Sequence, residues 1–266
     1  MIPFPDISPI ALQLGPVAVR WYGLAYVAGM LGGLWLAKRL ASRHPARNLS
    51  PDTMENAFLA IILGVVLGGR LGYVLFYALP TYGFGLLAAD PTYPFRVWEG
   101  GMSFHGGVIG VVLAMFWVAW KHRIHPLDLA DRITPVLPIG LFFGRIANFI
   151  NGELWGRVTS PELPWAMVFP HAGPQPRHPS QLYEAGLEGL VLFALLWLTT
   201  RKGITRYQPS GVFLTGYALA RIFVENFRTP EITHTYMGLQ LTQGQLLSLP
   251  MLVVGLVFLY VASRAR

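Results

Sequence analysis

Apolar runs long enough to cross a bilayer recur along this chain, and no other feature narrows its possible folds so far. A hydrocarbon core takes about 20 apolar residues per helix. Seven segments fit that need: 20–37, 57–79, 104–120, 133–150, 181–199, 209–227 and 244–262. Composition agrees, because 53% of residues are hydrophobic and 12% charged, where a soluble domain carries about 25% charge. The mean hydropathy is +0.47. The expectation is an all-α polytopic membrane protein: a bundle of about seven transmembrane helices forming a single domain over residues 1–266, embedded in a lipid bilayer.

Orientation follows from where the basic residues fall. Lys38, Arg39, Arg43 and Arg47 lie in one set of connections with Lys121, Arg123, Arg132, Arg201, Lys202, Arg206, Arg264 and Arg266. The opposite set holds only Arg20, Arg96, Arg157, Arg177 and Arg228, and Arg70, Arg145 and Arg221 fall inside apolar segments. By the positive-inside rule the N-terminus is expected outside and the C-terminus in the cytoplasm. Loops at about 80–103, 151–180 and 228–243 then share the outer face and make a small head there. The opening MIPFPDISPIALQLGPVAVR lacks a basic n-region, so no cleavable signal peptide is expected.

Several functions are set aside by the same reading. The net charge of +7 gathers at segment ends, as topology signals do, so no nucleic-acid partner is expected. There is no cysteine, hence no thiolate of the protein's own. The histidines lack close pairing with carboxylates, and neither a P-loop nor a G-x-S-x-G elbow is present. No metal and no cofactor are expected. Gly64, Gly68 and Gly72 repeat every four residues, as do Gly29 with Gly33 and Gly140 with Gly144, a spacing that lets helices pack closely in lipid.

Charge inside lipid needs a reason, since a charged side chain at the bilayer centre costs about 2.5–3.5 kcal/mol on insertion scales. In GVFLTGYALARIFVENFR, Tyr217, Arg221, Glu225 and Arg228 are spaced to share one helical stripe. They form either a self-satisfying ion pair or a functional site. Arg145 and Asn148 share a face of the fourth segment, and Asn151 and Glu153 follow where it should reach the surface. Gly144, Gly152 and Gly156 allow tight turns or close approach. Guanidinium forks suit phosphate, so Arg145 and Arg221 on two helices could clamp one; structural cross-linking is the alternative. His105, in GGMSFHGG, sits just inside the outer boundary and could take a proton near neutral pH. In RHPSQLYE, His178 and Glu184 add hydrogen-bonding groups on the same side, and Ser180 suits a helix start.

These blocks closely resemble the bacterial prolipoprotein diacylglyceryl transferases. The resemblance is carried by GRIANFINGELWGR and, in order, by RWYGLAYVAG, GGRLGYVLFY, FRVWEGGMSFHGG, RHPSQLYE, GYALARIFVENFR and GQLLSLPM, spanning about residues 16 to 255. It implies seven helices in the bacterial inner membrane with the active site toward the outer face. It also implies transfer of the diacylglyceryl group of phosphatidylglycerol to the lipobox cysteine of a preprolipoprotein, with a thioether formed and glycerol phosphate released. At matching positions Arg145 and Arg221 would hold the phosphate, and His105 would be the base for the thiol. Tyr22, Asn148, Asn151, Glu153, Gly156, Tyr217 and Glu225 match further positions tied to activity, with Glu153 or Glu225 able to orient an arginine or act as base instead. Ala147 stands where glycine is expected, and the segment between Arg157 and Arg177 is short for the family. A secondary transporter for an anionic solute would use the same arginines, but the halves show no repeat of the kind many transporters carry. A lipid scaffold without catalysis would leave His105 dispensable.

Overall fold

A computed structural model describes residues 1–264 except 6, 16, 45, 47, 231, 237 and 238; Arg47 and Arg266 of the charge count therefore lie outside the described residues. Helices dominate. They are α1 (Trp21–Arg43), α2 (Pro51–Tyr82), α3 (Phe104–His122), α4 (Pro126–Ile150), α5 (Ser180–Thr200), α6 (Gln208–Val224) and α7 (Gln243–Arg264). Among the described residues, five of these (α2, α3, α4, α5 and α7) are long and apolar enough to cross a membrane. The chain is thus a mostly helical, multi-pass membrane protein. The remaining apolar segments correspond to α1, which ends in Lys38, Arg39 and Arg43, and α6, which has 17 residues. Two short antiparallel hairpins add strand to the expected all-helical picture. In one, β1 (Ile10–Leu14) pairs with β2 (Val17–Arg20); in the other, β3 (Thr233–Tyr236) pairs with β4 (Leu239–Thr242).

The chain divides into two compact units. Lys38–Ala130 is one, and Met1–Ala37 with Asp131–Arg266 is the other. In the Lys38–Ala130 unit, glycine spacing does the packing. A Cβ on Gly64, Gly68 or Gly72 of α2, or on Gly106 or Gly110 of α3, would enter the facing backbone. Lipid supplies no hydrophobic drive between helices, so contact this close is what holds the pair together. Ser103 starts α3 by accepting the Gly106 N–H at 3.2 Å. The connection back to α3 is fastened by Arg70 of α2. Its guanidinium donates to the carbonyls of Tyr93 (2.7 Å), Pro94 (3.3 Å), Gly100 (2.5 Å) and Gly101 (3.3 Å) and lies 4.9 Å from the Tyr93 ring.

The larger unit is built from most of α1 and of α4, and from α5 to α7. Gly29 of α1 faces the backbone of Gly140, as the spacing predicts, whereas Gly144 borders open space. Asp131 caps α6 from a distance: its carboxylate accepts the N–H groups of Tyr207 (2.7 Å) and Ser210 (3.0 Å), two of the donors every helix start leaves free. At the start of α7, Thr242 and Gln245 bond each other's backbone N–H at 3.1 and 3.2 Å, a capping box. Residues 151–180 fold back as a small head around Phe149, Met167 and Phe169, packed by Phe4, Trp155 and Leu182.

Candidate active site

Three helices of the larger unit bring the predicted arginines together. Arg145 is about one and a half turns from the end of α4, and Arg221 is about one turn from the end of α6. Between them α5 presents Glu184 and Glu188. Arg145 Nε lies 2.5 Å from Glu184 Oε2, a charge contact whose N–H is not aligned as a hydrogen bond. Arg145 Nη2 is 3.5 Å from Glu188. Arg221 Nη1 is 3.5 Å from Glu184 and 3.8 Å from Glu188, and its Nη2 is 2.5 Å from Glu225. Arg228 Nη1 completes the set, 3.1 Å from Glu184. Glu184 is buried to 1% exposure and Glu188 to 0%, whereas the arginines keep 17% (Arg145) and 14% (Arg221). The guanidinia thus keep a small open edge over carboxylates that have none.

This arrangement is only partly the helical stripe that spacing suggests. Helix α6 ends at Val224, with Glu225 as its cap residue. Arg228 lies beyond it, in a bridge to Gly156. A turn in which the Arg228 N–H still bonds the Val224 carbonyl at 3.0 Å carries Arg228 to the same carboxylate as Arg145. Helix α5 does start at Ser180, but Pro179 holds the cap position, and the Ser180 hydroxyl donates to the Leu154 carbonyl at 3.3 Å.

The polar end of α4 forms a second, contiguous layer. Glu153 Oε1 accepts from Asn148 (2.8 Å) and Asn151 (3.3 Å), while its carbonyl accepts from Gln181 of α5 at 2.6 Å. Gly152, with φ +65°, allows the turn that sends Glu153 back over α4. Tyr22 of α1 feels the charges of both Glu153 and Arg145 and shares a 3.0 Å hydrogen bond with Tyr26. Tyr217, one turn before Arg221, stands in the field of Glu188, Arg221 and Arg145. Gly156 is required by crowding: a Cβ there would strike the carbonyls of His178 and Phe227. Its N–H donates to His178 O at 3.0 Å, and the next N–H, of Arg157, to Phe227 O at 2.7 Å. The His178 Nδ1 shares a 3.1 Å bond with the Tyr183 hydroxyl, which accepts from Trp165 at 2.7 Å. Burial pushes the His178 imidazole below its ordinary pKa.

Arg145, Arg221, Asn148, Asn151, Glu153, Gly156, Tyr22, Tyr217 and Glu225 thus belong to one neighbourhood within the larger unit. His105 stands in the other unit, exposed on the first turn of α3 and edge-on to Phe104. Sequence reasoning underrated Glu184 and missed Glu188. Their signal was present as two carboxylates four residues apart in an apolar run, YEAGLEGLVLF.

A polytopic helical membrane protein with a buried cluster of arginines and carboxylates is the class these features define. Known sequences place it more closely. A family model described as prolipoprotein diacylglyceryl transferase matches residues 9–261. The phosphatidylglycerol–prolipoprotein diacylglyceryl transferase of Rhodospirillum centenum is 50% identical over 260 residues, covering 96% of this chain and 91% of that protein. The enzyme of the same name from Allorhizobium ampelinum is 52% identical over 275 residues, covering 100% and 93%; that from Rhodospirillum rubrum is 48% identical over 268 residues, covering 100% and 96%. The chain belongs to the prolipoprotein diacylglyceryl transferase family.

Proposed function

We propose that the protein moves the diacylglyceryl group of phosphatidylglycerol onto the lipobox cysteine thiol of preprolipoproteins, as the first step of bacterial lipoprotein maturation. The observation that carries this reading is the pair of arginines held side by side by shared buried carboxylates. A lipid phosphate offers oxygens to match both forks. In the reaction a base takes the thiol proton and sulfur bonds to the glyceryl carbon. The bond from that carbon to the phosphate oxygen breaks, and glycerol phosphate leaves with the electron pair. Arg145 and Arg221 bind the phosphate and stabilise the charge that grows on it as the bond breaks.

His105 is the proposed base, with Glu153 the alternative; family resemblance assigns the first, and the hydrogen bonds from Asn148 and Asn151 keep the second oriented. Tyr22, Tyr217, Gly156 and Glu225 line or brace the headgroup position. The bias of basic residues supports seven spans in one membrane domain over residues 1–266, with the N-terminus outside and the C-terminus cytoplasmic. The active site then faces outward from the bacterial inner membrane. The test is incubation of the purified protein with phosphatidylglycerol vesicles and a lipobox peptide, without added metal. Mass spectrometry should find a thioether adduct, and a peptide with serine in place of the cysteine should give none. No adduct, or activity that a chelator abolishes and a divalent ion restores, overturns this reading.

A further inference from the structure

Of the carboxylates in the cluster, Glu188 alone lacks a firm partner. Glu184 has Arg145 at 2.5 Å and Arg228 at 3.1 Å, and Glu225 has Arg221 at 2.5 Å. Glu188 has only the longer contacts, 3.5 Å to Arg145 and 3.8 Å to Arg221. Its side chain is fully buried and neither oxygen has a hydrogen-bond partner, which is rare for a buried carboxylate. It stands on a π-helical turn of α5, Ala185–Val191, a geometry that recurs at functional sites. The turn is also pinned, because a Cβ on neighbouring Gly189 would run into Phe142 of α4. Glu188 therefore lends negative charge to both arginines without closing on either fork, each of which another carboxylate, Glu184 or Glu225, engages at one nitrogen.

We infer that Glu188 is a positioning residue whose charge weakens the hold of Arg145 and Arg221 on phosphate enough for the phosphate product to leave. This rests on reading the two arginines as the phosphate site. The substrate is a phosphodiester with one negative charge. Breaking its carbon–oxygen bond yields a monoester, whose charge at neutral pH is about −1.5 to −2. Two arginines thus attract the product more strongly than the substrate. A fixed carboxylate between them reduces both attractions, and the product's by more.

The test uses the full chain in detergent, as wild type, Glu188→Gln and Glu188→Asp, with glycerol phosphate as the probe. Glu188→Gln should bind glycerol phosphate about tenfold more tightly, the size expected for removing one partly screened charge beside a bound anion. Its KM for phosphatidylglycerol should fall by less, and kcat should fall with it. Glu188→Asp, whose charge is drawn back by one methylene, should lie between the two. A role confined to folding would lower activity without tightening glycerol phosphate. Unchanged or weaker binding in folded Glu188→Gln overturns the inference; if that variant does not accumulate, the same result in Glu188→Asp does. Binding is read from the thermal shift that glycerol phosphate produces, which needs no transfer. Absence of thioether product in the wild type would therefore sink the transferase reading alone.

Discussion

Arg70 and Arg145 are both arginines inside apolar helices, and their surroundings give them different uses. Arg70 spends its fork on backbone: four carbonyls between Tyr93 and Gly101 accept its N–H groups. It is buried to 3% exposure and flanked by the Tyr73 and Tyr93 rings. Neutral acceptors satisfy a guanidinium permanently and leave nothing for a ligand. Arg145 and Arg221 instead face carboxylates at mixed distances, with Arg145 Nε and Arg221 Nη1 lacking any aligned hydrogen bond. A charge in lipid marks a functional site only when its partners leave part of it to use.

That contrast can be attacked at several points. Glu184 is the brace of the carboxylate cluster, so Glu184→Gln removes the counter-charge that Arg145, Arg221 and Arg228 share. Stability should drop by about 3–5 kcal/mol, as for other broken buried pairs, measured by denaturant unfolding in detergent. Arg145→Ala or Arg221→Ala should lower turnover about 100- to 1000-fold, the scale of losing one group that stabilises developing charge, with a smaller change in protein level. Rates near wild type would remove both from the phosphate site. Arg70→Met should do the reverse. Each carbonyl left without a donor costs about 1–3 kcal/mol, so folded yield falls while turnover per folded molecule holds. Loss of turnover in that variant as deep as in Arg145→Ala would erase the distinction between the two regions. Gly156→Ala should cost about 1–3 kcal/mol by overpacking, because its Cβ meets the carbonyls of His178 and Phe227.

The smallest effect concerns pH. Burial lowers the folded-state pKa of His178, so the unfolded chain binds a proton more readily there. The stability this neutral histidine contributes is fully present above its unfolded pKa of about 6.5 and is lost as pH falls through the lower folded value. His178→Gln should flatten that part of the pH–stability curve. Trp165 fluorescence should follow the change, since its indole N–H bonds the Tyr183 hydroxyl that His178 shares.

Local rules made much of this chain legible. The apolar runs mapped onto helices because a bilayer leaves the backbone few other ways to satisfy itself. Gly64, Gly68 and Gly72 announced a close helix seam, and Arg145 with Asn148 announced a polar face near the end of α4. Prediction was least complete at the ends of helices. Arg228 reads as one more step along a helix, but the helix stops at Val224, and a turn carries Arg228 to Glu184 instead. Ser180 does begin α5, but Pro179 in front of it holds the cap position. Glu188 drew no notice because a carboxylate four residues after Glu184 has no meaning until its facing helices are known.

Periodicity and charge, acting over a turn or a loop at a time, were enough to settle a multi-pass helical protein and to single out the residues with a reason to be polar. They could not say which of those residues meet. Arg145, Glu184 and Arg221 are separated by 39 and 37 positions, and nothing local couples them. Their contact depends on α4, α5 and α6 packing together, with Glu188 carried on a π-turn of α5. Only packing in three dimensions gave the arginines shared carboxylates, because charge at distances of 2.5–3.8 Å acts through space and takes no account of order along the chain.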